Sequence, residues 1–220
     1  FCGMLYPEDF AEDDRMNDNW LELAVRVQSI AQAGLWYGKD KYDLERYAQL
    51  WDIAAEMLAL RTDMPAERIA GLFCNESGYQ TPKIDTRAAV FIDGRLLLVH
   101  ENDGSWALPG GWCDVDQSVA SNTEKEVREE TGFTVRAERL IAVHDWRKRN
   151  VKEHVYGVMK MFVLCRYESG EFEENIETTG IGLFGRDELP EGLAAEKNTR
   201  EQIEMCFGAL DDPRAPTQFD

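Results

Sequence analysis

The spacing of apolar residues changes once along this chain, near residue 76, and that change restricts the folds open to it. Before it, "WLELAVRVQSIAQAGLWY" sets Trp20, Leu23, Ala24, Val27 and Ala31 at helical spacing, with Gly34 expected as the stop. A second helix is predicted from about Asp43, on the stripe Leu44, Tyr47, Ala48, Trp51, Ala54, Ala55 and Leu58. A short third helix is expected in "PAERIAGLF", with Pro65 in its first turn. After the change, "TRAAVFIDGRLLLVHE" divides into two apolar runs at Asp93-Gly94, the signature of a hairpin. Strand-like runs follow at about 134–146, 154–166 and 179–185. A helix from Ser118 to Thr131 sits among them, and a closing helix over about 194–209 offers Ile203 and Phe207 inward. The pattern predicts an α+β chain: an α/β/α sandwich preceded by a small all-α domain. The expected boundaries are an acidic arm at 1–17, a helical domain at 18–76, a strand-containing domain at 77–212 and a tail at 213–220. The helical domain is marginal as an independent fold, so it is expected to pack on the rest of the chain or on a second copy.

Charge narrows the partners. Lysine and arginine total 24 against 42 acids, a net charge of −18. Such a chain lacks the basic footprint of broad nucleic-acid or anionic-membrane binding. A small phosphate-bearing substrate stays open, because a divalent cation held by carboxylates reverses the local field. No apolar run reaches the length of a membrane span, and no secretory leader is visible. Five scattered cysteines without a Cys-x-x-Cys pair point to a reducing, cytoplasmic setting. The three histidines, His144 and His154 included, are expected to have ordinary structural partners rather than a metal.

The acids are not evenly spread. In "GGWCDVDQSVASNTEKEVREETGF", Glu126, Glu129 and Glu130 fall within one arc of roughly 100° on the helix ended by Gly132. Ala120, Val127 and Thr131 are the expected core-facing residues. Like charges three and four apart cost a helix roughly 0.2–0.5 kcal/mol per pair. A solvated acidic face is the ordinary explanation of such a cluster, but a cation among the carboxylates would remove the repulsion. Mg²⁺ takes oxygen ligands and retains several waters. The preceding Pro109-Gly110-Gly111 turn lets bare backbone approach the same place. Cation, close backbone and phosphate together point to hydrolysis of a phosphate anhydride.

This stretch resembles the Nudix box, Gly-x5-Glu-x7-Arg-Glu-U-x-Glu-Glu-x-Gly-U, with U a bulky apolar residue. Gly111, Glu126, Val127, Glu129, Glu130, Gly132 and Phe133 match in register. Gln117 stands in place of the first Glu and Lys125 in place of the Arg, two positions that in the family brace the loop against the helix. Gln117 and Lys125 could still share a hydrogen bond, although lysine cannot reproduce the arginine fork. The helices of Trp20–Phe73, with "GYQTPKIDTRAAVF" and "WALPGGWCDV", resemble the Nudix subgroup with an N-terminal helical domain. That subgroup is associated with ADP-ribose and CDP-choline.

The resemblance implies a Nudix-type sandwich with a mixed sheet and a Mg²⁺- or Mn²⁺-dependent pyrophosphohydrolase. The metal ligands would be Glu126, Glu129, Glu130 and the Gly111 carbonyl. One of the carboxylates, Glu129 or Glu126, would orient the attacking water. Family members often use one more acid outside the box; Glu177 is the candidate, with Glu171, Glu173 and Glu174 as competitors. Lys83 and Arg87 are candidates for substrate phosphate, although a structural ion pair is the simpler use of each. Trp36, Tyr37, Tyr79, Trp112 and Trp146 could stack on a nucleobase or serve as core. The resemblance also suggests a homodimer. Two other readings stay open: a non-catalytic nucleotide sensor, and a hydrolase of dinucleoside polyphosphates or RNA ends, the latter disfavoured by the charge.

Overall fold

The computed structural model describes residues 18–60, 78–150, 157–173 and 175–220. The expected arm, the helix in "PAERIAGLF", the start of the run predicted from 154, and Cys2, Cys74, His154 and Glu174 lie outside them. The chain divides into two compact units, one of residues 1–82 and 153–157, the other of 83–152 and 158–220.

The first unit carries α1 (Asp18–Tyr37) packed on α2 (Lys41–Ala59). Asp40 starts α2 by accepting hydrogen bonds from the Tyr42 and Asp43 amides, two donors a helix N-terminus otherwise leaves orphaned. Ala24, Ala31, Ala54 and Ala55 are buried, small residues that let helices approach, and Leu58 is buried with them. Gly34 does not end α1, as the sequence suggested. The helix runs through it to Tyr37, and a β-carbon at Gly34 would overlap the Tyr47 ring. Its role is to admit an aromatic side chain from α2, and the stop comes at Gly38.

The second unit is a seven-stranded mixed sheet. Its strands are β1 (Lys83–Ile92), β2 (Arg95–Glu101), β3 (Trp106–Ala107), β4 (Thr134–Asp145), β5 (Val158–Ser169), β6 (Thr178–Phe184) and β7 (Gln218–Phe219). The order is β3-β2-β1-β5-β4-β7, with β6 on β2; β1 runs parallel to β5, and β4 antiparallel to β5. The Asp93-Gly94 turn has φ of 50° and 76°, the left-handed pair a tight hairpin requires. Helix α3 (Val119–Thr131) covers one face, where Val127 packs with Ala88, Val90, Leu97 and Val163. A single turn, α4 (Trp146–Arg149), follows β4. Helix α5 (Arg200–Asp211) covers the other face, with Ile203, Cys206 and Phe207 against Ala89, Leu96, Leu98 and Phe162. The predicted α/β/α sandwich is therefore what the chain forms, with Ile203 and Phe207 inward.

Three details differ from the sequence reading. Helix α5 begins at Arg200 rather than near 194, because Thr199 and Gln202 form a capping box there. Residues 213–220 are not a loose tail: Gln218 and Phe219 pair with Ala142 and Val143 of β4, and Asp220 accepts from the Asp145 amide and Arg149. A two-residue strand has no period to read. On α3, Ala120 is exposed, and Asn122 and Thr123 are buried in its place beside Val127 and Thr131. No helix among the described residues is long and apolar enough to cross a membrane.

Candidate active site

The site forms where the turn before α3 meets β1. Backbone hydrogen bonds tie the turn to the strand: Thr86 N donates to Gly111 O at 2.8 Å, and Ala88 N to Pro109 O at 2.8 Å. Gly110, at φ 142°, lies so close that a β-carbon would overlap the Thr86 carbonyl oxygen. The side chains of Asn122 and Thr86 add a second tie, Asn122 Nδ2 donating to Thr86 Oγ1 at 2.9 Å. Helix α3 is thus anchored to the strand at its first turn, and its capping box at Ser118 and its left-handed Gly132 fix both ends.

Two of the three carboxylates point into this junction. Glu130 Oε2 accepts from the Gly110 amide at 2.9 Å. A β-carbon at Gly111 would stand 2.6 Å from Glu126 Oε2, so that carboxylate lies directly against the glycine. Burial pushes Glu130 up to about 8, the charge of Glu126 adding to it and Arg87 and the Gly110 amide opposing it. Burial also raises Glu126, against Lys125. Glu129 is more exposed and reaches Lys125 Nζ at 3.1 Å. The same ammonium lies 3.1 Å from Asp114 Oδ2 and 3.4 Å from Glu126 Oε1. Lys125 therefore does not bond to Gln117; its loop partner is Asp114, and the hydrogen bonds of Gln117 run through its backbone.

The remaining candidates separate. Arg87 is buried and paired with Asp85 at 2.9 Å, and donates to Leu108 O. Lys160, also buried, reaches the other Asp85 oxygen at 2.8 Å and lies over the Trp146 ring. Burial works against ionised Asp85, but the two cations outweigh it and hold its carboxyl below the usual range. Lys83 opens β1, half-buried. Glu177 is exposed in a loop that Asn175 holds to α3, its Nδ2 donating to Glu130 O at 2.9 Å. Among the described residues no hydrogen bond or ion pair joins the Glu177 carboxylate to the other three, which lie on α3. Glu171 contributes only backbone next to Gly132. Trp112 is partly exposed beside Gly111, and Trp146 is core; Trp36, Tyr37 and Tyr79 belong to the helical unit.

The donors suit a hard divalent cation. Burial raises the carboxyls of both Glu126 and Glu130, a shift that a bound cation would oppose. Among the described residues no three acidic, histidine or cysteine side chains already surround one point. The reason is visible in their partners: Glu129 is turned to Lys125 and Glu130 to Gly110. Gly111 O already accepts from the Thr86 amide at 2.8 Å and, at 3.5 Å, from the Thr86 hydroxyl. Asp114, Asn122, Asp85, Lys160 and Asn175 were not singled out by the sequence. Asp114, three residues after Gly111 in a turn facing a lysine-bearing helix, offered the one usable signal.

Comparison with known proteins agrees with this geometry. Residues 82–204 match the NUDIX domain, and residues 18–73 match a domain described as UDP-X-like, N-terminal oligomerisation domain. YjhB of Bacillus subtilis (strain 168), provisionally named an ADP-ribose pyrophosphatase, is 42% identical over 207 residues, 94% of this chain and 99% of that protein. A crystal structure of an ADP-ribose pyrophosphatase from Streptococcus suis 89-1591 is 51% identical, covering 64% of this chain and all of that one, with a TM-score of 0.60. A UDP-X diphosphatase structure is 34% identical across 91% of this chain and 98% of that one, also with a TM-score of 0.60. With its carboxylate helix, its glycine turn and its helical N-terminal unit, the chain belongs to the Nudix hydrolase family.

Proposed function

We propose that this enzyme cleaves the phosphate anhydride of a nucleoside diphosphate linked to a second group, with ADP-ribose the leading substrate and CDP-choline and UDP-linked groups next. The carrying observation is the pair of half-buried carboxylates, Glu126 and Glu130, set against the bare backbone of Gly110 and Gly111. The names of the relatives support the substrate class. Glu126, Glu129 and Glu130, with the Gly111 carbonyl, would hold Mg²⁺ or Mn²⁺. A cation bound there supplies Lewis-acid polarisation of the bridging phosphates and acidifies bound water. The chain's own contribution is position. Glu126 and Glu130 are fixed by a helix tied to β1, and Glu129, the most exposed of the three and paired with Lys125, would orient the attacking water. The water oxygen bonds to phosphorus as the P–O–P bond breaks, giving a nucleoside monophosphate and a phosphorylated second group. Glu177 is the candidate for a further acid from the loop that Asn175 fastens.

The helical unit supports a homodimer. It exposes Ile30, Trp36, Tyr37, Tyr42 and Leu60, apolar surface that a lone hairpin leaves in water. The match to an oligomerisation domain points the same way.

The test is a panel of ADP-ribose, CDP-choline, UDP-sugars, dinucleoside polyphosphates and capped RNA, resolved by product with Mg²⁺ and with Mn²⁺. Turnover of a nucleoside diphosphate conjugate to monophosphate, lost with chelator and restored by metal, is expected. Turnover of capped RNA alone would overturn the substrate class.

A further inference from the structure

The family pattern braces the turn before the helix with a glutamate and an arginine, and this chain has neither. The brace that replaces them is built differently. Asp114 is fixed at its backbone, its amide donating to Asn122 Oδ1 at 3.2 Å and its carbonyl accepting from Gln117 N at 3.0 Å. Its side chain takes the Lys125 ammonium at 3.1 Å. That ammonium also touches Glu126 and Glu129, the carboxylates assigned to the metal. One cation is thus divided among three acids, one in the loop and two on the helix.

Division has a consequence for metal access. A lysine facing only Glu126 and Glu129 would neutralise them and compete with any other cation for the same oxygens. Asp114 draws the ammonium toward the loop. We propose that Asp114 is a positioning residue for the metal site: by sharing Lys125 it keeps that ammonium from closing over Glu126 and Glu129. The proposal rests on the metal reading above. Asp114 touches no reacting atom; it acts through Lys125.

Mn²⁺ alone, titrated into the full chain and followed by the electron paramagnetic resonance of the free ion, tests it. Asp116, an exposed acid in the same loop, supplies the control for lost charge as such. Asp114→Asn should weaken Mn²⁺ binding by about threefold to fivefold more than Asp116→Asn, the scale of an exposed ion pair. On a Lys125→Met background that excess should vanish, because no ammonium remains to be shared. Asp114→Glu, which keeps the charge, should restore binding. The proposal fails if Asp114→Asn matches Asp116→Asn, or if its excess survives without Lys125. Glu126→Gln separates the two readings. If it leaves Mn²⁺ affinity unchanged, the metal assignment falls and this proposal with it. If it abolishes binding while Asp114→Asn and Asp116→Asn agree, only the role of Asp114 falls.

Discussion

Glu130 shows most directly how position makes chemistry in this molecule. A carboxylate on an exposed helix face would titrate near its ordinary value. Here burial beneath the glycine turn lifts it to about 8, so at neutral pH it binds a proton unless a cation takes its place. Glu130→Gln keeps shape and removes that charge. Glu126→Gln, Glu129→Gln and Glu130→Gln should each lower kcat by at least about a hundredfold, while the thermal midpoint holds or rises as repulsion is relieved. Wild-type rates in any of them would remove that residue from the site. The three acids were legible because helical spacing alone brings them together. Asp114, Asn122 and Asn175 were not, because each acts across a loop whose path no local pattern encodes.

Strand β1 shows how one element serves both layers. Thr86, Ala88 and Val90 face α3, while Asp85, Arg87 and Ala89 face the α5 side. Its buried Asp85 holds two cations, and removing the carboxylate would strand both. Asp85→Asn should therefore cost about 3–5 kcal/mol in a urea melt. A loss below about 1 kcal/mol would mean water already screens the cluster. His144, buried on β4, gives the element a pH dependence. Burial, with Arg149 adding to it, holds the imidazole below its usual range. The unfolded chain then takes up that proton first, so stability is full above the ordinary value of 6.5 and falls as pH drops through it. His144→Gln should flatten the decline of the urea midpoint between about pH 7 and pH 5. An unchanged slope would assign it to other groups. Strand and helix types were readable here from period and caps. The β7 pairing and the continuation of α1 through Gly34 were not, since a two-residue strand has no period and a glycine's neighbour across a helix pair lies outside any local window.

At the scale of the whole molecule, the described helices of the helical unit leave several large apolar side chains exposed. Ile30, at 61% exposure, and Trp36, at 60%, are, with Tyr37, the most accessible large apolar side chains on α1 among the described residues. Light scattering should give about twice the 25.2 kDa chain mass at micromolar concentration, and Ile30→Glu with Trp36→Glu should return it toward one. A wild-type mass of one chain that persists on concentration would overturn the dimer.

The parallel pairing of β1 with β5 carries a further consequence, for the order in which the molecule comes together. Lys83 pairs with Val158, a separation of 75 residues. The hairpin of β1 with β2 and the caps of α3 are local and can form early. The β1–β5 seam must close a long loop first, and such closures set the pace of folding. The bonds that build the site lie within residues 86–130, so its scaffold is local, and it is the sheet around it that waits for the seam.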